Sequence, residues 1–167
     1  MMENEKQNAA RLLKEFKGDH YIFGSDCIDK LGDLVVQHGK KVTLVVLSIE
    51  KDESGFIKES VKKALDSGGL HIAGDIIEGA RPNAPFEDVY RIADSIAAQD
   101  PEVVVTVGGG SSIDATKAAV AYLTFKDKYP DLNDYFGANT VSKMIEEHQR
   151  NLLPVVAVQV ASSSAAH

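Results

Sequence analysis

Three consecutive glycines, Gly108, Gly109 and Gly110, join a β-branched run (Val103 to Val107) to the segment Ser111-Ser112-Ile113-Asp114-Ala115-Thr116-Lys117. That order predicts a strand, a tight turn and a helix whose N-terminus faces whatever sits above the turn. Glycine admits φ > 0 and lets a ligand approach where a Cβ would otherwise stand. The N–H groups and the positive end of the helix dipole favour an anion there. A plain strand–helix corner is the alternative. Three glycines followed by an acid one turn into the helix point instead to a phosphate or pyrophosphate, held by the backbone of Gly109, Gly110 and Ser111 and by the Ser111 hydroxyl. Two better-known phosphate loops do not fit. There is no Gly-Lys-Ser/Thr. Positions 108, 110 and 113 read Gly, Gly, Ile, not Gly-x-Gly-x-x-Gly. The acid expected about 20 residues further on would be Asp131 or Asp134, and neither ends a strand-like run.

The rest of the chain supplies elements to position this turn. Asn4 to Lys17 reads as a helix with an apolar stripe of Ala9, Leu12, Leu13 and Phe16, ended by Gly18. Tyr21 to Phe23 is expected to be a short strand. Ser25 is placed to cap a helix carrying Cys27, Ile28, Leu31, Leu34 and Val35, closed by Gly39. Val42 to Leu47 is a continuous apolar run, as a parallel strand covered on both faces requires. Ser54 is expected to cap a helix through Leu65, ended by Gly68-Gly69. Leu70 to Ile77 holds a weaker strand. Pro85 opens a helix with Phe86, Val89, Ile92, Ala93 and Ile96 on one face. Ile113 to Thr124 is helical, 130–138 is loop with a short helical turn, Thr140 to Gln149 is a helix and Leu153 to Val160 a last strand. Strands alternating with helices imply an α/β fold, a parallel sheet with right-handed crossovers. Ligands of such sheets sit at the carboxyl ends of strands. Four ends therefore matter: Leu47-Ser48, the turn around Asn83, Gly108 to Gly110, and Val160 to Ser164.

At 167 residues the size prior is one domain, and 44% hydrophobic residues can build a core for it. A net charge of −7, with lysines scattered among acids, excludes nucleic acid as the natural partner. The single cysteine, Cys27, allows no internal disulfide and makes cytoplasm the default compartment. No apolar run reaches the ~20 residues of a membrane span. His20, His38, His71, His148 and His167 lack metal-ligand spacing. Tyr122, Phe125, Tyr129, Tyr135 and Phe136 read as packing residues.

Gly108 to Lys117, as Gly-Gly-Gly-Ser-x-x-Asp-x-x-Lys, resembles the signature of the iron-containing (group III) alcohol dehydrogenases, kin to glycerol dehydrogenase and dehydroquinate synthase. Phe23-Gly24 with Leu31, Arg81-Pro82-Asn83-Ala84-Pro85 and Leu153 to Val158 match further family segments in order. The resemblance implies a Rossmann-like NAD or NADP domain over 1–167, the N-terminal half of a longer architecture. Its all-helical second half would carry the Fe2+ or Zn2+ ligands, an Asp and three His that this chain does not contain. It implies a dinucleotide and a small alcohol or aldehyde as partners, with a homodimer as a candidate assembly, and an isolated chain that does not turn over.

Residue by residue, the resemblance places Asp114 near the nicotinamide ribose. The plain alternative is an acid in the first helical turn that complements the dipole, worth about 0.3–1 kcal/mol. Lys117 matches the motif or simply faces solvent. Asn83 contacts the ribose-phosphate or caps a helix. Ser48 falls where many family members place an Asp that accepts from the adenosine 2′-OH and repels a 2′-phosphate. Serine removes that repulsion and opens the site to NADP. At the chain end, Val160 and Ala161 stand where two threonines are expected, Ser164 replaces a third and His167 a glutamate. Three readings compete: the cofactor half of a metal-dependent alcohol dehydrogenase, a nucleotide-binding module without catalysis, and a lyase of the dehydroquinate synthase type. The last lacks the serine after the third glycine.

Overall fold

The computed structural model describes residues 2–24, 26–47 and 53–160. In chain order the helices are α1 (Met2–Lys17), α2 (Leu31–Val35), α3 (Glu53–Ser67), α4 (Phe86–Gln99), α5 (Gly110–Phe125) and α6 (Thr140–His148). The strands are β1 (Lys41–Val46), β2 (His71–Ile72), β3 (Ile77–Glu78), β4 (Val103–Gly108) and β5 (Val155–Gln159). They form one sheet in the order β2-β1-β4-β5, with β3 also pairing to β1, and every pairing is parallel. The expected α/β architecture is the observed one.

Alternation along the central strands sorts side chains between two helical layers. Val42, Leu44 and Val46 of β1, with Val103, Val105 and Val107 of β4, pack against Leu31, Val35, Val61 and Leu65 of α2 and α3. Val45 and Val104 point the other way, into Val89, Ile92 and Ile96 of α4 and Ala115, Ala119 and Val120 of α5. This double cover explains why the strands read as unbroken apolar runs. Two threonines interrupt them, and both are buried. The Thr43 hydroxyl is 2.7 Å from Gln99 Oε1. Thr106 Oγ1 lies 3.1 Å from Thr116 Oγ1, which also reaches the Ser112 carbonyl at 2.7 Å.

Several elements differ from their sequence expectation. Tyr21 to Phe23 forms no strand. β-prone residues do not suffice for a strand, and the sheet among the described residues is built without this segment. The helix expected from Cys27 begins instead as a 3-10 turn, Cys27–Lys30, and only Leu31–Val35 is α-helical; Ser25 lies outside the described residues. α3 starts at Glu53, which puts Ser54 inside the helix. The weak strand splits into β2 and β3. Between them, Gly74 lies against the Gln99 side chain, whose amide donates to the Asp75 carbonyl at 2.8 Å. α1 forms as expected, yet its stripe is not covered: Leu12 is 52% and Phe16 81% exposed. Periodicity sets a helix's shape and says nothing of its place on a sheet. Tyr122, Tyr129 and Tyr135 do pack with one another, and Phe136 stacks on Phe86. Among the described residues no helix is long and apolar enough to cross a membrane.

α2 and α3 meet backbone to backbone. A Cβ on Gly32 would lie 2.5 Å from the Ala64 carbonyl oxygen and 3.1 Å from Gly68 Cα. Alanine normally stabilises a helix relative to glycine by about 0.5–1 kcal/mol. Here the obstacle is backbone, which cannot swing aside, so Gly32→Ala is expected to lower stability by about 1–3 kcal/mol, as overpacking does. Denaturant melts check this; an unchanged or raised midpoint contradicts it.

The far end of α5 is tied by charge. Arg150 grips Asp127 with two nitrogens and donates to the Thr124 carbonyl. The Arg150 hydrogen bonds hold the Asp127 carboxyl down at about 2, below its ordinary value near 4. A depressed acid stabilises the fold above its unfolded pKa and loses that contribution as pH falls through the folded one. Asp127→Asn should therefore lower the melting temperature near neutral pH, and the deficit should shrink as pH drops from about 4 to about 2. A deficit independent of pH over that range contradicts the pairing.

Candidate functional site

The glycine turn sits where the sheet changes direction. From β1 the chain crosses to β2 and β3 on one side, then returns to β4 on the other, and β5 follows outward. Such a switch leaves a crevice above the carboxyl ends of the two central strands. The ladder stays closed up to that edge: Leu47 N–H donates to Val107 O at 2.8 Å, Gly79 N–H to Val46 O at 2.7 Å and Val160 N–H to Gly108 O at 3.1 Å.

Steric exclusion shapes the crevice floor. A Cβ on Gly108 would stand 2.8 Å from Ser112 Cβ and 3.3 Å from Leu47 Cβ. One on Gly79 would stand 2.6 Å from Ser112 Oγ and 3.0 Å from Leu47 Cα. Three strand ends thus close on one buried serine in the first turn of α5, and only glycine fits at two of them. The role expected for the glycines is corrected in part. Gly109 has φ −85°, ordinary extended backbone, so what this corner demands of glycine is space, at Gly108, and not a left-handed conformation at Gly109.

α5 begins at Gly110, earlier than the sequence pattern placed it, with Gly109 as a cap that has no side chain. The first N–H groups of a helix have no partner within it. Gly109 leaves them to a ligand or to water, with the dipole of a 16-residue helix behind them. Gly109, Gly110 and Ser111 are half-buried at this point. The early start also corrects Asp114. It falls past the first turn, which contains no acid, and it is exposed, as is Lys117.

Asn83 comes to the same place from the other side. Its backbone N–H donates to Ser111 Oγ at 3.1 Å, joining the turn before α4 to the glycine turn. It does not cap α4; Pro85 holds that position, without a side-chain bond. Ser48 and Ser164 lie outside the described residues, although Leu47, the neighbour of Ser48, lines the floor. Three residues that the sequence reading gave no role stand behind Asn83: Arg81, Asp88 and Arg91. Asp88 Oδ2 accepts from Arg81 N–H at 2.8 Å and from Arg81 Nε at 3.0 Å. Arg91 donates to the carbonyls of Glu78 and Gly79. The visible signal was an acid three residues into a helix opened by proline, placed to reach back to a preceding N–H.

The residues present fit a bound phosphate: a floor in which two positions admit no Cβ, an uncapped helix start and a serine hydroxyl. They do not fit a metal. Among the described residues no group of three or more His, Cys, Asp or Glu could hold an ion. An apolar depression of about 560 Å3, lined by Val120, Leu123, Arg150 and Leu152, lies at the other end of the sheet, where α5 ends and β5 starts. Its position removes it from this chemistry.

Known proteins resemble the chain over the same span. The family described as "Iron-containing alcohol dehydrogenase" matches residues 18–167. A "NAD-dependent methanol dehydrogenase" of Bacillus methanolicus is 27% identical over 143 residues, 86% of this chain and 34% of that protein. A "NADPH-dependent butanol dehydrogenase" of Clostridium saccharobutylicum is 30% identical over 115 residues, 68% of this chain and 28% of that protein. A crystal structure of 1,3-propanediol oxidoreductase superposes with TM-score 0.70 at 26% identity, covering 87% of this chain and 35% of that one. The chain spans about a third of the length of the curated relatives it matches. With that fold, that glycine corner and a family match over nearly its whole length, the chain belongs to the iron-containing alcohol dehydrogenase family.

Proposed function

We propose that this chain is the dinucleotide-binding part of an NAD(P)-dependent alcohol dehydrogenase. The observation that carries the reading is the glycine corner itself. Strand β4 delivers Gly108 against Ser112 and Leu47 so closely that a Cβ there would clash, and α5 starts on a glycine behind a glycine cap. The backbone of Gly109, Gly110 and Ser111 is assigned to the pyrophosphate, by N–H donation and with the helix dipole. The Ser111 hydroxyl adds a donor. Asn83, anchored to Ser111, is assigned to the ribose-phosphate. Asp114 is assigned to the outer rim, since it stands exposed beyond the first turn.

The nicotinamide, when bound, supplies the hydride acceptor; the protein supplies binding and orientation. The family's Fe2+ or Zn2+ would act on the alcohol oxygen, and the described residues contain no ligand set for it. The substrate class is a small alcohol or aldehyde, by likeness to the methanol and butanol dehydrogenases. Cytoplasm is the proposed compartment, in keeping with the free Cys27. A second reading, a dinucleotide module without turnover, is favoured by Val160. It is 41% exposed beside Gly108, where the family resemblance expects a threonine hydroxyl.

Isothermal titration with NAD and NADP tests the site. Wild type is expected to bind and Gly110→Val to lose binding with its circular dichroism intact, because an isopropyl group fills the pyrophosphate space. Equal affinities would sink the assignment. Cofactor choice is tested at Ser48. An introduced carboxylate repels a 2′-phosphate and accepts from a 2′-OH. Ser48→Asp is expected to shift the ratio of the two dissociation constants towards NAD by about tenfold, or about 1.4 kcal/mol. An unchanged ratio removes Ser48 from the adenosine ribose.

A further inference from the structure

The segment between β3 and α4 holds two consecutive non-glycine residues in the left-handed region, Asn83 at φ +67° and Ala84 at φ +48°. Asparagine tolerates this conformation through local hydrogen bonds. Alanine has none to offer, and the strain is about 1–2 kcal/mol for such a residue. A turn of this kind persists only where its surroundings over-determine it.

Asp88 is the centre of those surroundings. It is 6% exposed, the third residue of α4, and both its oxygens are engaged. Oδ2 takes the backbone and side-chain N–H of Arg81, while Oδ1 faces Arg91 Nη2 at 3.7 Å. Arg91 in turn holds the Glu78 carbonyl at 2.8 Å and the Gly79 carbonyl at 2.9 Å. One carboxylate therefore organises the end of β3 and the start of the turn. The turn closes with Ala84 N–H on Arg81 O at 3.1 Å, and its tip reaches Ser111. Burial works to raise the Asp88 pKa, but the Arg81 bonds outweigh it and the net direction is down, so the group that grips the turn is the carboxylate.

The geometry points to Asp88 as a positioning residue for the dinucleotide site: acting through Arg81 and Arg91, it sets the strained turn so that Asn83 N–H orients the Ser111 hydroxyl. This rests on the reading of Gly109 to Ser111 as the pyrophosphate site. The chemistry follows from the direction of the bond. Ser111 Oγ accepts from Asn83, so its own O–H cannot point at that amide and is left to donate elsewhere; a phosphate oxygen at the start of α5 is the acceptor proposed for it. Without the Asp88 grip, the turn relaxes, Asn83 N–H withdraws, and the hydroxyl loses its fixed orientation. A helix-start acid serving stability alone would not act through Ser111.

The test is a double-mutant cycle on the 167-residue chain: wild type, Asp88→Asn, Ser111→Ala and the double variant, each titrated with NADH by fluorescence. Each single variant is expected to weaken binding several-fold, and the double to be no weaker than the worse single, because both remove the same contact. Multiplying losses would overturn the proposal. Glu102→Gln is the control. Glu102 also grips backbone N–H groups, those of Lys40 and Lys41, but at the opposite end of the sheet. It is expected to lower stability and leave NADH affinity unchanged; an equal loss of affinity there would make the Asp88 effect merely structural. Hydrogen exchange at the Asn83 amide supplies a readout without ligand. It is expected to speed up in both Asp88→Asn and Ser111→Ala, and an unchanged rate in Asp88→Asn overturns the positioning role. If wild type binds no NADH while this exchange still responds, the cofactor reading falls and the mechanical coupling stands.

Discussion

The arrangement depends on how closely β4 can approach the first turn of α5. Gly108 and Gly79 both lie within van der Waals limits of Ser112 that a methyl group would violate. That contact fixes three things together. It seats the helix start directly over the strand end, it draws β3 against the tip of β1, and it leaves no room for a Cβ at positions 79 and 108. A larger residue at either position would separate these layers, and the donors at the helix start would no longer converge on one point. The many valines beneath it serve this closeness, since strands packed on both faces hold the ends in a fixed register.

Around this floor, charge is used to hold shape. Asp88, Glu102 and Asp127 all sit with lowered pKa values, and each binds backbone or guanidinium groups. Glu102 joins β1 to the start of β4, Asp127 joins α5 to the approach to β5, and Asp88 stiffens the turn facing the glycines. The net negative charge of the chain thus conceals carboxylates with distinct structural duties.

Where local pattern carried the information, the sequence was readable. The valine runs became β1 and β4, the apolar face from Phe86 to Ile96 became α4, and the three glycines met the start of a helix. Failures share a cause: the deciding partner was distant in sequence. Tyr21 to Phe23 has strand-forming residues but is not one of the strands of the sheet among the described residues. Residues 70–77 divide because Gln99, on α4, occupies the space beside Gly74. The helix start was misplaced because the third glycine was read as turn, although a helix whose cap lacks a side chain can begin on glycine. That shift carried Asp114 out of the first turn. Arg81, Asp88 and Arg91 were passed over because their carboxylate–guanidinium network exists only once β3 and α4 are side by side.

The pairing of β1 with β4 also bears on how the chain reaches this state. Val42 lies opposite Val103, so the central ladder joins strands with two helices and two short strands between them in sequence. Such contacts have high sequence separation, and their loop-closure entropy must be met before the ladder gives anything back. Until then the edge of β1 that faces β4 stays open, because the brief β2 and β3 segments pair with its other edge. During synthesis that edge waits for residues 103–108 to emerge, a window in which a strand with one charge, Lys41 at its start, is open to pairing with other chains. The apolar strands that let the crevice close so tightly are, in the nascent chain, open to the edge pairing that the finished sheet prevents.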